Sequence, residues 1–299
     1  MRVLALALVA RALALSPPLE GVANFREVSP LLPGLYRSAE LERASDADAR
    51  YLLDELGVRT VVDLRNDDEI AKARRSRTRG GARLADEVAA RRHLPPLRDV
   101  DGFFDAVAAG LPPAKRLEAM ALLVFSGRKY DQLLYDELTR ERSPRTLYTS
   151  MLKAAPRVWG EALRAATAEG AGPVIVHCAK GKDRTGVVAA LAALAAGDAE
   201  ETVVRSYARS AALLDAHEAA APPAPPSDGD DAPRKRRGVD WSALRGSPPD
   251  AMSGTLEWVR KEHGSVEAYL DLVGIDADWR ADLRSRAAAA ATASTTGAG

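Results

Sequence analysis

The chain has 299 residues, 46% of them hydrophobic and 28% charged, with Lys plus Arg and Asp plus Glu at 42 each. That suits a soluble globular chain with a real core, built as about two domains or one decorated α/β domain. The formal net charge of +0 excludes the usual electrostatic case for a dedicated nucleic-acid or membrane-surface binder, yet leaves room for a local basic pocket.

The N-terminal run Met1 to Ala10 resembles a weak secretory signal, but Arg11 interrupts its apolar stretch early. Residues 1–18 are therefore expected to be an extension before the fold, and the protein cytoplasmic, with secretion as the alternative. No stretch approaches the ~18 uninterrupted apolar residues of a spanning helix, so no stable membrane insertion is expected.

After Pro17-Pro18, β-like runs alternate with helical ones. A helix over Asp46 to Leu56 stops at Gly57, and Val58 to Leu64 reads as a strand. Another strand is expected within Arg83 to Leu94, before Pro95-Pro96. The pattern is helical over 101–141, with breaks at Gly110 to Pro113 and near Gly127, and reads as a helical insert, either a lid or a packed layer. Ser143-Pro144 opens a helix predicted to run to Gly170 with a kink at Pro156. Pro173 to Val176 is short, apolar and β-branched, the mark of a central strand buried on both faces. Thr185 to Ala196 reads as a buried helix, and Asp198-Ala199-Glu200-Glu201 opens another through His217.

Residues 222–250 hold Pro222-Pro223-Ala224-Pro225-Pro226, then acidic and basic patches ending in Arg234-Lys235-Arg236-Arg237. Such a stretch buries too little surface to offset its ordering entropy and is expected to be a mobile loop. Helices follow near Gly254 to Glu262, Val266 to Leu272 and Asp276 to Ala290, with a disordered tail over 291–299. The sum is one domain over 19–290, an α/β sandwich with a central, mostly parallel sheet flanked by helices.

The single cysteine rules out a disulfide framework and a Cys-rich zinc module, and the four scattered histidines give no metal-ligand spacing. No metal or cofactor is expected. The cysteine lies in Val174-Ile175-Val176-His177-Cys178-Ala179-Lys180-Gly181-Lys182-Asp183-Arg184-Thr185-Gly186, a buried strand, a short loop and a helix start. Ligands of open α/β sheets sit where strands give way to helix N-termini, whose free N–H groups and dipole attract phosphate. The same field favours a nucleophilic thiolate at Cys178.

Arg184 lies across the loop, able to grip two phosphate oxygens. Gly181 permits tight curvature and Gly186 close helix packing. The Thr185 hydroxyl is expected to bond the sulfur as a leaving group. A Cys-x5-Arg spacing alone is common in an Arg-rich chain; the flanking His177, Gly181, Thr185 and Gly186 make it specific. A Walker-type nucleotide loop fails, because Asp183 follows Gly181-Lys182 where Ser or Thr is required.

These residues resemble the cysteine-dependent protein tyrosine and dual-specificity phosphatases, and more narrowly the bacterial tyrosine/serine phosphatase family whose loop reads His-Cys-x-x-Gly-Lys-Asp-Arg-Thr-Gly. Asn24-Phe25-Arg26-Glu27, Leu35-Tyr36-Arg37-Ser38, Leu56 to Arg65, Tyr148 and Gly264 to Leu270 are similar to further blocks of that family, so the resemblance spans about 20 to 285. It departs in the Pro-rich insert and in Lys180, where relatives often carry a small residue.

The resemblance implies a protein-tyrosine-phosphatase-like sandwich and phosphomonoester hydrolysis through a phosphocysteine. Cys178 is the nucleophile, Arg184 and the amides of Ala179 to Gly186 bind phosphate, and His177 either supports the loop and thiolate or is purely structural. The general acid is ranked Asp183, then Asp99 after Pro95-Pro96-Leu97, then Asp63, which sits in an Asp-Leu-Arg block able to pair with Arg65. Lys180 and Lys182 imply that inositol lipids or phosphoserine/threonine are accepted alongside phosphotyrosine. A rhodanese-like sulfurtransferase and a phosphoprotein-binding pseudophosphatase are the rivals; the first lacks an Arg-Thr-Gly helix start, and the second needs no nucleophile. With no partner thiol, oxidation of Cys178 is expected to inactivate through sulfenic acid or a backbone sulfenamide.

Overall fold

The structure, a computed structural model, describes residues 19–141, 143–220, 244 and 246–296, the side chains of 291–296 excepted. The N-terminal extension and most of the Pro-rich loop expected from the sequence lie outside these residues. Among the described residues five strands form one sheet in the order β1-β2-β5-β3-β4. They are β1 (Arg26–Glu27), β2 (Leu35–Ser38), β3 (Thr60–Asp63), β4 (Ala90–His93) and β5 (Val174–His177). Only the β1–β2 pair is antiparallel. The α/β class and mostly parallel sheet read from the sequence are those of the molecule.

Strand β5 is central, in register with β2 through Leu35 opposite Val174 and with β3 through Thr60 opposite Val174. Its side chains alternate between two cores, as strand geometry requires. Val174 and Val176 join the larger cluster with Val62, whereas Ile175 joins the smaller one with Val61. The same registers bring His177 level with Ser38 and Asp63 at the carboxyl ends of the strands.

The smaller core is covered by α1 (Asp46–Arg50), a π-helical turn over Tyr51–Glu55, and α3 (Arg79–Glu87). Gly57, at φ +65°, ends the π turn, close to where the sequence predicts. Helix α2 (Asp67–Arg74) precedes α3. The strand expected within Arg83 to Leu94 is there, over Ala90–His93, while the start of that window, to Glu87, belongs to α3. Thr78 caps α3 by accepting from the Gly81 N–H at 3.1 Å. A Cβ at Gly80 or Gly81 would stand 2.1 or 2.2 Å from backbone oxygens of Ser45 and Glu42. Those glycines serve close packing, which a propensity reading counts as a break.

On the other face lie α4 (Val100–Ala109), α5 (Pro113–Phe125), α6 (Gly127–Arg140), α7 (Arg145–Ala154), α8 (Pro156–Thr167) and α9 (Arg184–Ala196). They are joined by α10 (Glu200–Ala220), α11 (Pro249–His263), α12 (Val266–Leu272) and α13 (Ala277–Thr296). The helical reading of 101–141 resolves into α4 to α6, with Phe103, Val107, Leu134 and Leu138 in the larger core. Pro156 starts a new helix where a kink was predicted, its ring suiting a first turn. Helix α13 runs on to Thr296, past the expected end at Ala290, because an alanine run has the highest helix propensity.

Candidate active site

Cys178 follows β5 directly and is 2% exposed. The loop after it is built by what holds its carbonyls. The Ala179 oxygen accepts from the Glu40 N–H at 3.2 Å. Asn24 Nδ2 donates to the oxygens of Lys180 and Gly181 at 3.0 and 2.9 Å, and Arg37 Nη2 to Gly181 at 2.7 Å. In a trans peptide each carbonyl points opposite to the next N–H. The amides of Lys180, Gly181 and Lys182 therefore face away from these partners, leaving a fan of donors at the start of α9, where the helix's own first N–H groups are free. Gly181 sits at φ +63°, and a Cβ there would lie 2.2 Å from the Ser38 oxygen.

Arg37 and Arg26 are the buried posts behind the loop. Arg37 is 1% exposed, and burial pushes its guanidinium down to about 10. Arg26 donates to the Asn24 oxygen at 3.0 Å, and to Ser206 O and Ser210 Oγ at 2.9 Å each, tying the loop's support to α10. Neither arginine pairs with a carboxylate among the described residues.

Arg184, in the first turn of α9, donates to Glu69 Oε2 and Oε1 at 2.5 and 2.6 Å and to the Leu64 oxygen at 3.1 Å. Burial alone would push Glu69 up, but the Arg184 hydrogen bonds and charge carry it below the usual carboxylate range. The guanidinium is thus aligned before any ligand arrives.

A sequence profile of the tyrosine phosphatase family matches residues 17–289, spanning both the loop and its supports. The chain belongs to the tyrosine phosphatase family. The triple specificity protein phosphatase PtpB of Mycobacterium tuberculosis is 35% identical over 199 residues, 64% of this chain and 68% of that protein. A tyrosine-protein phosphatase of Nostoc commune is 25% identical over 248 residues, 80% of this chain and 69% of that protein.

Asp183 of the phosphatase precedes α9, and its Oδ1 accepts from the Tyr148 hydroxyl at 2.6 Å. Tyr148 in turn lies 2.7 Å from the Tyr207 hydroxyl, and burial raises both phenols. The Lys182 ammonium is buried; it donates to Leu244 O and Gly246 O at 2.8 and 2.7 Å and lies 3.5 Å from Asp183. Lys180 is exposed, and Ala179 half-buried. The Thr185 hydroxyl is buried without a hydrogen-bond partner among the described residues, so the expected bond to the sulfur is not made here. Gly186 packs closely: a Cβ there would lie 3.2 Å from the Tyr207 ring.

His177 is 0% exposed, with Nε2 3.5 Å from Asp63 Oδ2 and Nδ1 3.3 Å from the Cys178 oxygen. Burial lowers it, against the pull of Asp63. Asp63 is held by Arg65 at 2.9 and 2.7 Å, and Arg65 grips Glu42 at 2.9 and 2.8 Å. Burial opposes ionisation of Asp63, but His177 and Arg65 hold it far below the usual range. This is the local pairing the sequence offered as the rival to an acid role.

Asp99 is exposed and caps α4, accepting from the Gly102 N–H at 2.8 Å. Its loop reaches the site's edge, where Asn66 Nδ2 donates to the Leu97 oxygen at 3.2 Å. Among the described residues no group of three or more His, Cys, Asp or Glu is placed to hold a metal. Sequence reasoning missed Glu69, Glu42 and the outward-holding role of Asn24 and Arg37. An Asn-x-x-Glu helix start at Asn66 signals Glu69 as a capping residue, but nothing local says which arginine it meets.

Proposed function

We propose that this phosphatase hydrolyses phosphomonoesters through a phosphocysteine on Cys178. The single observation that carries the reading is the loop whose Ala179, Lys180 and Gly181 carbonyls are held from outside, leaving the amides that follow them free for an anion beside Cys178 and Arg184. The thiolate attacks phosphorus in line, and the phosphorus–oxygen bond to the leaving group breaks as a carboxylic acid protonates that oxygen. Water then attacks phosphorus, its proton passes to the same carboxylate, and the thiolate leaves. Amide dipoles and Arg184 supply the positive field for the spreading charge, so the residues suffice without a metal ion.

Asp183 is the preferred acid, since it stands in the loop itself and Tyr148 fixes one of its oxygens. Asp99 is second, on an exposed loop beside Asn66. Phosphotyrosine is the core substrate, with phosphoserine/threonine and phosphoinositides accepted as well. PtpB carries triple specificity in its name, which supports this breadth. Lys180, exposed on the rim, is the cation better placed for additional phosphates; Lys182 is anchored to the returning chain at Leu244 and Gly246.

The test is hydrolysis of aryl phosphates of graded leaving group with chelator present. Cys178→Ser is expected to abolish turnover. Asp183→Asn is expected to cost on the order of 10²–10³-fold in kcat with a poor leaving group and far less with a good one. Activity surviving in Cys178→Ser would overturn the mechanism. A leaving-group-dependent loss in Asp99→Asn and none in Asp183→Asn would transfer the acid role. On phosphoinositides, wild-type rates in both Lys180→Ala and Lys182→Ala would sink the lipid reading.

A further inference from the structure

Helix α5 presents its apolar side outward. Leu117, Met120, Leu123, Val124 and Phe125 are 60–85% exposed, whereas its inner side is Ala119, which is buried, and Leu122, which is half-buried. Leu117, Met120, Ala121 and Val124 follow the i, i+3, i+4, i+7 spacing of one helical face. A contiguous apolar face of this kind marks an interaction surface when it occurs on a folded domain.

The cations around it point to the partner. Arg116 lies on α5, and Arg128 and Lys129 open α6 directly beyond Phe125; all three are exposed. Among the described residues Arg116 is hydrogen-bonded only to backbone oxygens of Ala109 and Leu111. No ion pair joins any of the three to a carboxylate among the described residues. Glu118 is the single acid of α5. We propose that this face docks the phosphatase on an anionic lipid surface, with Leu117, Met120, Val124 and Phe125 entering the headgroup–acyl boundary and Arg116, Arg128 and Lys129 meeting lipid phosphates.

A second copy of the chain is the less suitable occupant, because a two-fold contact lays the same patch on itself and brings these three cations together. The docking is peripheral: no helix among the described residues is long and apolar enough to cross a membrane. It goes beyond the catalytic reading and stands without it, since attachment is measured with no hydrolysis.

The experiment is co-sedimentation of the full chain with vesicles of phosphatidylcholine alone or mixed with phosphatidylserine. Two variants accompany the wild type: Leu117→Ser/Val124→Ser/Phe125→Ser, and Arg128→Glu/Lys129→Glu. The wild type is expected to bind the mixed vesicles at least tenfold more tightly than the neutral ones. Each variant is expected to lose at least tenfold of that binding, with melting temperature and aryl phosphate turnover unchanged. No binding by the wild type would overturn the proposal. So would full binding by the Leu117/Val124/Phe125 variant, which assigns attachment elsewhere, such as to Arg234-Lys235-Arg236-Arg237. A wild-type dimer that this variant turns into a monomer would assign the face to a second copy and overturn it equally.

Discussion

Arg37 carries its charge into a buried site where Cys178 and Asp183 favour it but do not outweigh burial. Its guanidinium is fully buried and meets Gly181 O at 2.7 Å and Lys182 O at 3.5 Å, with no carboxylate partner among the described residues. Such a charge ordinarily costs several kcal/mol; on the proposed mechanism, the Cys178 thiolate or bound phosphate would add to Asp183 as its counter-charge. Arg37→Met removes the desolvation cost and one bond to Gly181 O, while Asn24 still serves that oxygen. The expected change in unfolding free energy is within about 2 kcal/mol. The expected fall in kcat/KM is roughly 100-fold, typical of losing one preorganised charge at a developing anion, with partial rescue in Arg37→Lys. Denaturant unfolding beside aryl phosphate kinetics reads both; a kcat/KM within threefold of wild type refutes the role.

At the scale of elements, α2 does two jobs with one carboxylate. Glu69 Oε2 accepts the Asn66 N–H at 2.9 Å, capping the helix, and the same group holds Arg184. Glu69→Gln keeps an acceptor for the cap but loses the charge facing Arg184. It is expected to leave the melting temperature within a few degrees of wild type while lowering kcat/KM at least tenfold. Glu69→Ala is expected to lose about 1 kcal/mol of stability as well. Equal activity in wild type and Glu69→Gln would show that Arg184 needs no aligning partner.

This division marks what the sequence could reveal. His177 to Gly186 is contiguous, so its strand, loop, glycine turn and helix start were legible, as were β3, β5 and α9 from their apolar runs. The loop's supports come from Asn24 and β1, β2, α2, α7 and α10, far apart in the chain, and are joined only when the sheet brings β2 and β3 to either side of β5. Asn24 and Tyr148 stood out through resemblance alone, without their partners Gly181 and Asp183. The α3 helix was hidden because Gly80 and Gly81 mark close backbone approach and look locally like breakers.

For the molecule as a whole, the carboxyl end of the sheet buries an ionic chain, His177, Asp63, Arg65 and Glu42, next to Cys178. Its members titrate in separate windows. His177 is lowered by burial, so the unfolded chain, titrating near ~6.5, binds more protons than the folded one between that value and the folded one. Stability is therefore full above about pH 6.5 and lost as pH falls toward the folded value of His177. Asp63 and Glu42, held low by Arg65 despite burial, extend the loss below about pH 4.3. Glu40 and Asp198 are raised by burial and oppose it, so the informative quantity is a difference. The unfolding free energy of the wild type, minus that of His177→Gln, is expected to fall steadily between pH 7 and pH 5. A constant difference across that range would mean that His177 is not buried as the neutral imidazole, and that the sheet end tolerates its charge.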